Sequence, residues 1–248
     1  MFTPRVLRFE SLPSTNLEAA RQAGEGAPEG LCIVAAEQTA GRGRLERQWI
    51  SPKGAGLYFS MILRPQFDQS RWAILTMLAA VAVHDTLTEV FGLAPDIKWP
   101  NDVLINDKKI CGILAETVET NTGRAIVLGI GINLNASSFP SELNDVATSV
   151  EAETAQKADA EIVIEPLVNS LIRYYELLNL SGSPETLVAE WSKRSSYAMN
   201  KPVRVTNGDV TIEGVSRGLD SDGALIIETD AGEFKTVRTG DVTRLRAQ

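Results

Sequence analysis

A chain of 248 residues, 44% apolar and 23% charged, can bury a sizeable core without staples, as one large domain or one domain plus a small one. Its net charge of −8 argues against a broad nucleic-acid-binding face, which needs excess positive charge. Its two cysteines, Cys32 and Cys111, make no disulfide framework and fit a reducing cytosol; no apolar run approaches about 18 residues, so no membrane span is expected, and MFTPRVLRFESLPST has no signal-peptide core.

In chain order, Thr15-Asn16-Leu17-Glu18 reads as a capping box opening a helix that ends at Gly24 and Gly26. LCIVAA at 31–36 and LYFSMIL at 57–63 read as short buried strands. Trp72, Leu75, Ala79, Ala82 and Val83 recur at helical spacing, so a long helix is expected over Ser70–Phe91, stopped by Gly92. A strand at Asp96–Trp99 ends at Pro100; Val103–Ile105 and Lys109–Thr117, joined at Asn106-Asp107, read as a hairpin. AIVLGIGINL at 125–134 is nearly all apolar, as expected of a central strand buried on both faces. Residues 139–161, with six acids and one lysine, read as a solvated connection. Helices follow over Ala160–Asn179 and Pro184–Ser195.

From Lys201 the pattern changes to VRV, VTIEGV, ALIIE, FKTV and VTRL, separated by turn residues. Five short strands of this kind predict an SH3-like barrel without a catalytic cluster of its own. The fold class expected is α+β: a central mixed β-sheet with packed helices over residues 1–198, then a small C-terminal SH3-like β-barrel over 199–248.

Three clusters stand out chemically. Between Gln38 and Arg64 five basic residues face one acid, a local inversion of charge. Within GRGRLERQW at 41–49, glycines admit a close ligand and arginines fork onto phosphate or carboxylate oxygens. The pattern is neither a Walker loop nor a dinucleotide fingerprint. A plain solvated loop and a nucleic-acid contact are the alternatives. The second cluster, Lys98-Trp99-Pro100-Asn101-Asp102 with KKICGILAE at 108–116, gathers cation, amide and carboxylate at a strand end, although Asn-Asp also suits a simple turn. Lys109 is unexpected in an apolar strand, and Gly112 permits close backbone approach. The third, GIGIN at 129–133, suits either a flat ligand on bare backbone or close helix-to-sheet packing, and Asn133 needs polar partners there. His84, the one histidine, has no metal-ligand companions at suitable spacing and reads as structural; no zinc site or nucleophilic triad is visible.

Together these motifs resemble the biotin–protein ligases (biotin–[acetyl-CoA-carboxylase] ligases). The likeness runs through Ser14-Thr15-Asn16, Gln38, GRGRLERQW, Leu57–Leu63, KWPND, KKICGILAE, GIGIN and the C-terminal β module. It implies activation of biotin by ATP as biotinyl-AMP, then transfer to a lysine of a biotin carboxyl carrier domain in the cytoplasm. It implies that Ser14, Thr15, Asn16 and Gln38 hold or flank biotin. Gly41, Arg42, Gly43 and Arg44 would form a loop closing on biotin and the adenylate, with Trp49, Gly112 and Gly131 lining the site. Lys109 is the lysine poised by carboxylate and phosphate. Lys98, Asn101, Asp102, Arg47 and Asn133 resemble the nucleotide and magnesium side, with Asn101 and Asp102 toward Mg²⁺. Lys109, Arg44 and Asp102 are the expected catalytic residues, Asp102 as base for the carrier lysine.

Some members of the family carry an N-terminal helix-turn-helix domain and repress transcription. Here the Ser-Thr-Asn motif begins at residue 14, and ligase activity without repression, with no nucleic-acid or membrane partner, is expected. A homodimer is left open. The rival readings are a biotin binder without turnover, a nucleic-acid-binding SH3-like protein, and a lipoate ligase. One departure stands out: the family usually reads GRGRxGR, and Glu46 occupies the position of that last glycine. A glycine there permits a positive φ that glutamate resists, so Glu46 is expected to face solvent or pair with a neighbouring arginine, at some cost to loop closure.

Overall fold

The structure, a computed structural model, describes residues 3–181 and 184–244. Seven strands form one sheet: β1 (Arg5–Phe9), β2 (Leu31–Ala35), β3 (Gly56–Leu63), β4 (Asp96–Lys98), β5 (Asp102–Ile105), β6 (Lys108–Thr120) and β7 (Gly123–Asn133). Their spatial order is β1-β2-β3-β7-β6-β5-β4. β1 and β2 run parallel, as the helical crossover between them requires, and the remaining pairs are antiparallel. The apolar run of β7 lies in the middle of the sheet, bonded to β3 and β6. Asn106 and Asp107 turn the β5–β6 hairpin with φ of 51° and 62°, the left-handed pair a two-residue hairpin needs.

The helices are α1 (Thr15–Gly24), α2 (Ile74–Phe91), α3 (Val150–Thr154), α4 (Glu161–Ser181) and α5 (Glu185–Lys193). Two details differ from expectation. No capping box forms at α1: Ser14 is the N-cap and makes no side-chain cap bond, because the Thr15 hydroxyl is taken by Gln38 and Glu18 pairs with Arg21. The long helix starts at Ile74; residues 69–71 form a separate 3₁₀ turn, capped by the Asp68 side chain. Gly92 ends α2 at φ 66°. α2 is 18 residues long with mean hydropathy 1.5, the length and composition of a membrane span, but 61% of it is buried within the fold, and His84, Asp85 and Glu89 interrupt its apolar run. Its apolar residues pack into one core with β3, β7, α4 and α5.

Strand alternation decides where the site can lie. On β7, Ile126, Leu128, Ile130 and Ile132 face the core shared with α2. Ala125 and Val127 point the other way and pack with Ala19 and Ala23 of α1. By the two-residue period Gly129, Gly131 and Asn133 share that second face. Side chains there are small just where α1 stops covering the sheet, which leaves a hollow over the middle of β7.

A second, antiparallel sheet holds β8 (Met199–Asn207), β9 (Val210–Leu219), β10 (Leu225–Glu228), β11 (Phe234–Val237) and β12 (Asp241–Arg244), in the order β11-β10-β9-β8-β12. Leu245, at the end of the last expected run, lies outside the described residues. This SH3-like unit docks through its core: Val203, Val205, Leu225 and Ile227 belong to the same apolar cluster as α2, and the Trp99 indole N–H donates to Gly223 O at 3.0 Å. Residues 139–161 are not the simple solvated connection expected. Thr148, Ser149 and Val150 are buried, and residues 146–148 pair with Lys109 of β6 through backbone bonds of 2.8 and 2.9 Å.

Candidate active site

The hollow over β7 forms two adjoining cavities. The first, of about 460 Å³, is lined by Ser14, Thr15, Asn16, Gln38, Arg42, Gly129 and Gly131, among others. The second, of about 850 Å³, is lined by Arg47, Asp102, Asn133, Phe139, Leu143, Val146 and Asp241, among others. Gly43, Arg44, Trp49, Asn101 and Lys109 line both. Three cationic or polar side chains therefore stand at the junction.

The floor of the first cavity is a polar network on buried strands. Gln38 Oε1 accepts from Thr15 N at 2.8 Å and from Thr15 Oγ1 at 3.1 Å. Gln38 Nε2 donates to Ser51 Oγ at 2.8 Å. Ser60 Oγ donates to Asn16 Oδ1 at 2.6 Å and lies 2.8 Å from Thr15 Oγ1. Asn16 Nδ2 donates to Leu114 O and, at 2.8 Å, to Glu116 Oε2. Buried polar groups are tolerated because they are paired. Gly129 makes this possible: a Cβ there stands 2.1 Å from Asn16 Oδ1.

Gly112 of β6 and Gly131 of β7 are register partners, and the Trp49 indole lies across them. A Cβ on Gly131 comes within 2.5 Å of Trp49 Nε1, and one on Gly112 within 2.9 Å of Trp49 Cζ3. The bare backbone expected to receive a flat ligand thus receives a flat side chain of the chain itself. Lys109 Nζ lies 5.3 Å from the centre of the Trp49 ring, within cation–π range. Trp49 Nε1 is buried and makes no hydrogen bond.

The loop is held at both ends. Gly41 leaves no room for a side chain, since its Cβ falls 2.2 Å from Trp49 O; Trp49 N donates to Gly41 O and Gly43 N to Arg47 O. Arg42 pairs with Glu116 at 2.8 Å. Arg44 donates to Asn101 Oδ1 at 3.0 Å, to Thr239 Oγ1 and to Gly240 O, and Arg47 pairs with Asp241. Leu45 and Glu46 sit at φ 53° and 60°. Glu46 therefore adopts the left-handed backbone that a glycine there takes freely, and its side chain is exposed with no ion pair.

Lys109 Nζ lies 2.7 Å from Asp102 Oδ1. Asn101 Nδ2 donates to Ile113 O at 2.9 Å and Oδ1 accepts from Arg44 at 3.0 Å, which leaves one N–H and one lone pair for a ligand. Among the described residues no group of three or more His, Cys, Asp or Glu side chains gathers for a cation; Asp102 and Asp241, which both line the second cavity, each engage one carboxylate oxygen in an ion pair. Asn133 lines the second cavity. Its partners are Thr148 O at 3.0 Å and Lys109 O, so it pins the 146–148 segment against β6. Lys98 lines neither cavity and stands opposite Asp102 in register.

Sequence reasoning missed three contributors. Phe139, Leu143 and Val146 form an apolar wall in a segment whose acidity hid it. Thr239, Gly240 and Asp241 come from the C-terminal domain, which was expected to carry no catalytic cluster of its own. Glu116, quoted in a motif, joins two site elements.

Residues 7–133 match the model of the biotin/lipoate A/B protein ligase family, and residues 198–244 match the biotin protein ligase C terminal domain. The bifunctional ligase/repressor BirA of Bacillus subtilis is 41% identical over 96% of this chain and 73% of its own length. The biotin--[acetyl-CoA-carboxylase] ligase of Paracoccus denitrificans is 36% identical over 88% of this chain and 92% of its own. Among solved structures, the biotin protein ligase from Aquifex aeolicus in complex with biotin and ATP superposes with a TM-score of 0.84 at 28% identity, covering 99% of this chain and 100% of the other. With this site on this fold, the chain belongs to the biotin protein ligases of the biotin/lipoate A/B protein ligase family.

Proposed function

We propose that the protein joins biotin to ATP as biotinyl-5′-AMP and passes the biotinyl group to a lysine of a biotin carboxyl carrier domain of acetyl-CoA carboxylase. The observation that carries this reading is the pair of cavities meeting at Arg44 and Lys109. Biotin occupies the first, with its ureido ring at the Thr15–Asn16–Gln38 floor and its carboxylate toward Lys109. ATP occupies the second, its base against Phe139, Leu143 and Val146 and its phosphates toward Arg44, Arg47 and Lys109. In the first step a carboxylate oxygen attacks the α-phosphorus and the bond to the bridging oxygen of pyrophosphate breaks. Negative charge grows on the phosphoryl oxygens and the departing group, where prearranged cations lower the barrier most. No side chain need act as nucleophile, because the carboxylate already is one.

In the second step the carrier lysine amine attacks the acyl carbon and AMP leaves as the phosphate-side product. The amine must first lose a proton, and Asp102, held at the junction by Lys109, is the carboxylate assigned to accept it. Asp102 is the residue that would help hold Mg²⁺ brought with ATP, which would offset charge on the departing pyrophosphate. The Arg44 and Arg47 contacts to Thr239, Gly240 and Asp241 keep the loop over the mixed anhydride and shield it from water. Both steps take place on residues 1–198, with 199–248 supporting the loop, in the cytoplasm and without operator binding.

The test is incubation with biotin, ATP and a purified carrier domain, followed by mass measurement of the carrier. One biotinyl group on one carrier lysine is expected. No transfer, or transfer of lipoate in preference to biotin in a competition assay, overturns the reading, and specific operator binding overturns the absence of repression.

A further inference from the structure

We infer that Glu116 is a positioning residue that sets the Asn16 amide for the ligand and ties the arginine loop to it; this rests on the first cavity being the biotin site. Its two carboxylate oxygens serve two different elements. Oε2 accepts from Asn16 Nδ2 in the first turn of α1 at 2.8 Å, and Oε1 accepts from Arg42 Nη2 at 2.8 Å. β6 brings it there: Gly112, Leu114 and Glu116 alternate along one face of the strand that also carries Lys109.

The consequence for Asn16 follows from its donors and acceptors. The residue is 5% exposed. Both Nδ2 hydrogens are used, one by Leu114 O and one by Glu116, and Oδ1 takes the Ser60 hydroxyl. An amide has two donors and one oxygen with two lone pairs. What remains for a ligand is one lone pair on Oδ1, beside Gly129. The turned-over amide would aim its oxygen at a carbonyl and a carboxylate, an arrangement that like partial charges oppose. Glu116 thus keeps an acceptor facing the cavity, which selects a ligand bearing an N–H donor, as a cyclic urea does.

The Arg42–Glu116 pair has side chains 45% and 27% exposed, and exposed pairs add little to stability. Its effect is on placement. When Arg42 is held, the first turn of the loop is fixed to the same carboxylate that fixes Asn16, so loop and floor move as one unit. Substitution Glu116→Gln keeps shape and loses this dual role, because the two partners bond to different carboxylate oxygens and in the amide one of these positions is an NH₂ that opposes a donor.

The test compares wild type with Glu116→Gln and Glu116→Ala in pyrophosphate release, with biotin binding measured separately by calorimetry and folding by thermal melting. The inference predicts a biotin KM and Kd raised about tenfold, an ATP KM within about twofold of wild type, and a Tm lowered by a few degrees at most. It also predicts that Glu116→Ala and Arg42→Ala combine non-additively in biotin affinity. Unchanged biotin affinity overturns it, as does an equal rise in both KM values or a large fall in Tm, which marks general damage. A wild-type protein that binds no biotin overturns the proposed function and this inference with it; a wild type that binds biotin with variants that bind equally well overturns this inference alone.

Discussion

Lys109 Nζ and Asp102 Oδ1 stand 2.7 Å apart on neighbouring strands at the junction of the two cavities. The pair keeps the ammonium aimed at the junction, where an arriving phosphate offers it a stronger anionic partner. Loss of a charge-assisted contact made in the transition state costs about 2–4 kcal/mol. Lys109→Ala is therefore expected to slow pyrophosphate release more than tenfold, measured in single turnover with biotin and ATP. A wild-type rate removes Lys109 from the chemistry.

Arg44 reaches Asn101 in one domain and Thr239 and Gly240 in the other, so it clasps the loop over the site. Arg44→Gly is expected to let biotinyl-AMP escape before transfer. The measurement is labelling of bystander lysines in a mixture of unrelated proteins. Labelling that stays confined to the carrier means the loop retains the intermediate without this clasp.

Glu46 sits at φ 60°, directly after Leu45 at 53°. A side chain in left-handed backbone costs about 1–2 kcal/mol that glycine avoids. The arrangement is held by the ion pairs around it, and its cost falls on loop closure. Glu46→Gly is expected to slow dissociation of biotinyl-AMP by about fivefold, which corresponds to roughly 1 kcal/mol. An unchanged off-rate shows that the strain is also present with the loop open.

A Cβ at Gly129 stands 2.1 Å from Asn16 Oδ1, closer than any real contact allows. Gly129→Ala is expected to displace the Asn16 amide and weaken biotin binding by at least about tenfold, read by calorimetry. Wild-type affinity separates the Asn16 network from ligand recognition.

Away from the site, Asp85 of α2 accepts hydrogen bonds from Arg173, Tyr174 and Arg194, with His84 Nδ1 at 3.2 Å. Burial alone would raise its pKa, but the hydrogen bonds of His84, Arg194 and Tyr174 outweigh burial and hold the carboxyl well below its ordinary range. Because the folded value is depressed, the stabilisation is full above about pH 4 and is lost as pH falls below it. Asp85→Asn is expected to cost roughly 2 kcal/mol at pH 7, about 4–8 °C in Tm. The gap between variant and wild type should narrow in melts below about pH 4; a constant gap assigns the loss to packing.

Much of this was legible in residue order. The apolar run of 125–134 predicted the central strand, the Asn106-Asp107 turn predicted the β5–β6 hairpin, and five turn-separated runs predicted the second sheet. The arginine loop, Lys109 and the Ser14–Asn16 and Gln38 groups do meet around one hollow. What stayed hidden depends on contacts between distant segments. Acidic residues 142 and 145 mask Leu143 and Val146, which face the second cavity only because 146–148 pairs with Lys109. Asp241 resembles any turn residue until β12 brings it to Arg47. The glycine slot was expected to take a flat ligand or close helix packing, and the Trp49 indole fills it instead, a contact sequence order does not reveal. Asn133 needed partners, and supplied its own through the backbone of Thr148.

The central claim, that biotin and ATP react across the junction of the two cavities, is tested most directly by separating the products formed from these two substrates with no carrier present. The account predicts biotinyl-5′-AMP and pyrophosphate in equal amounts, the adenylate staying on the protein at one per chain until a carrier domain is added. Biotin bound without pyrophosphate release, or ATP cleaved with no adenylate formed, would contradict it.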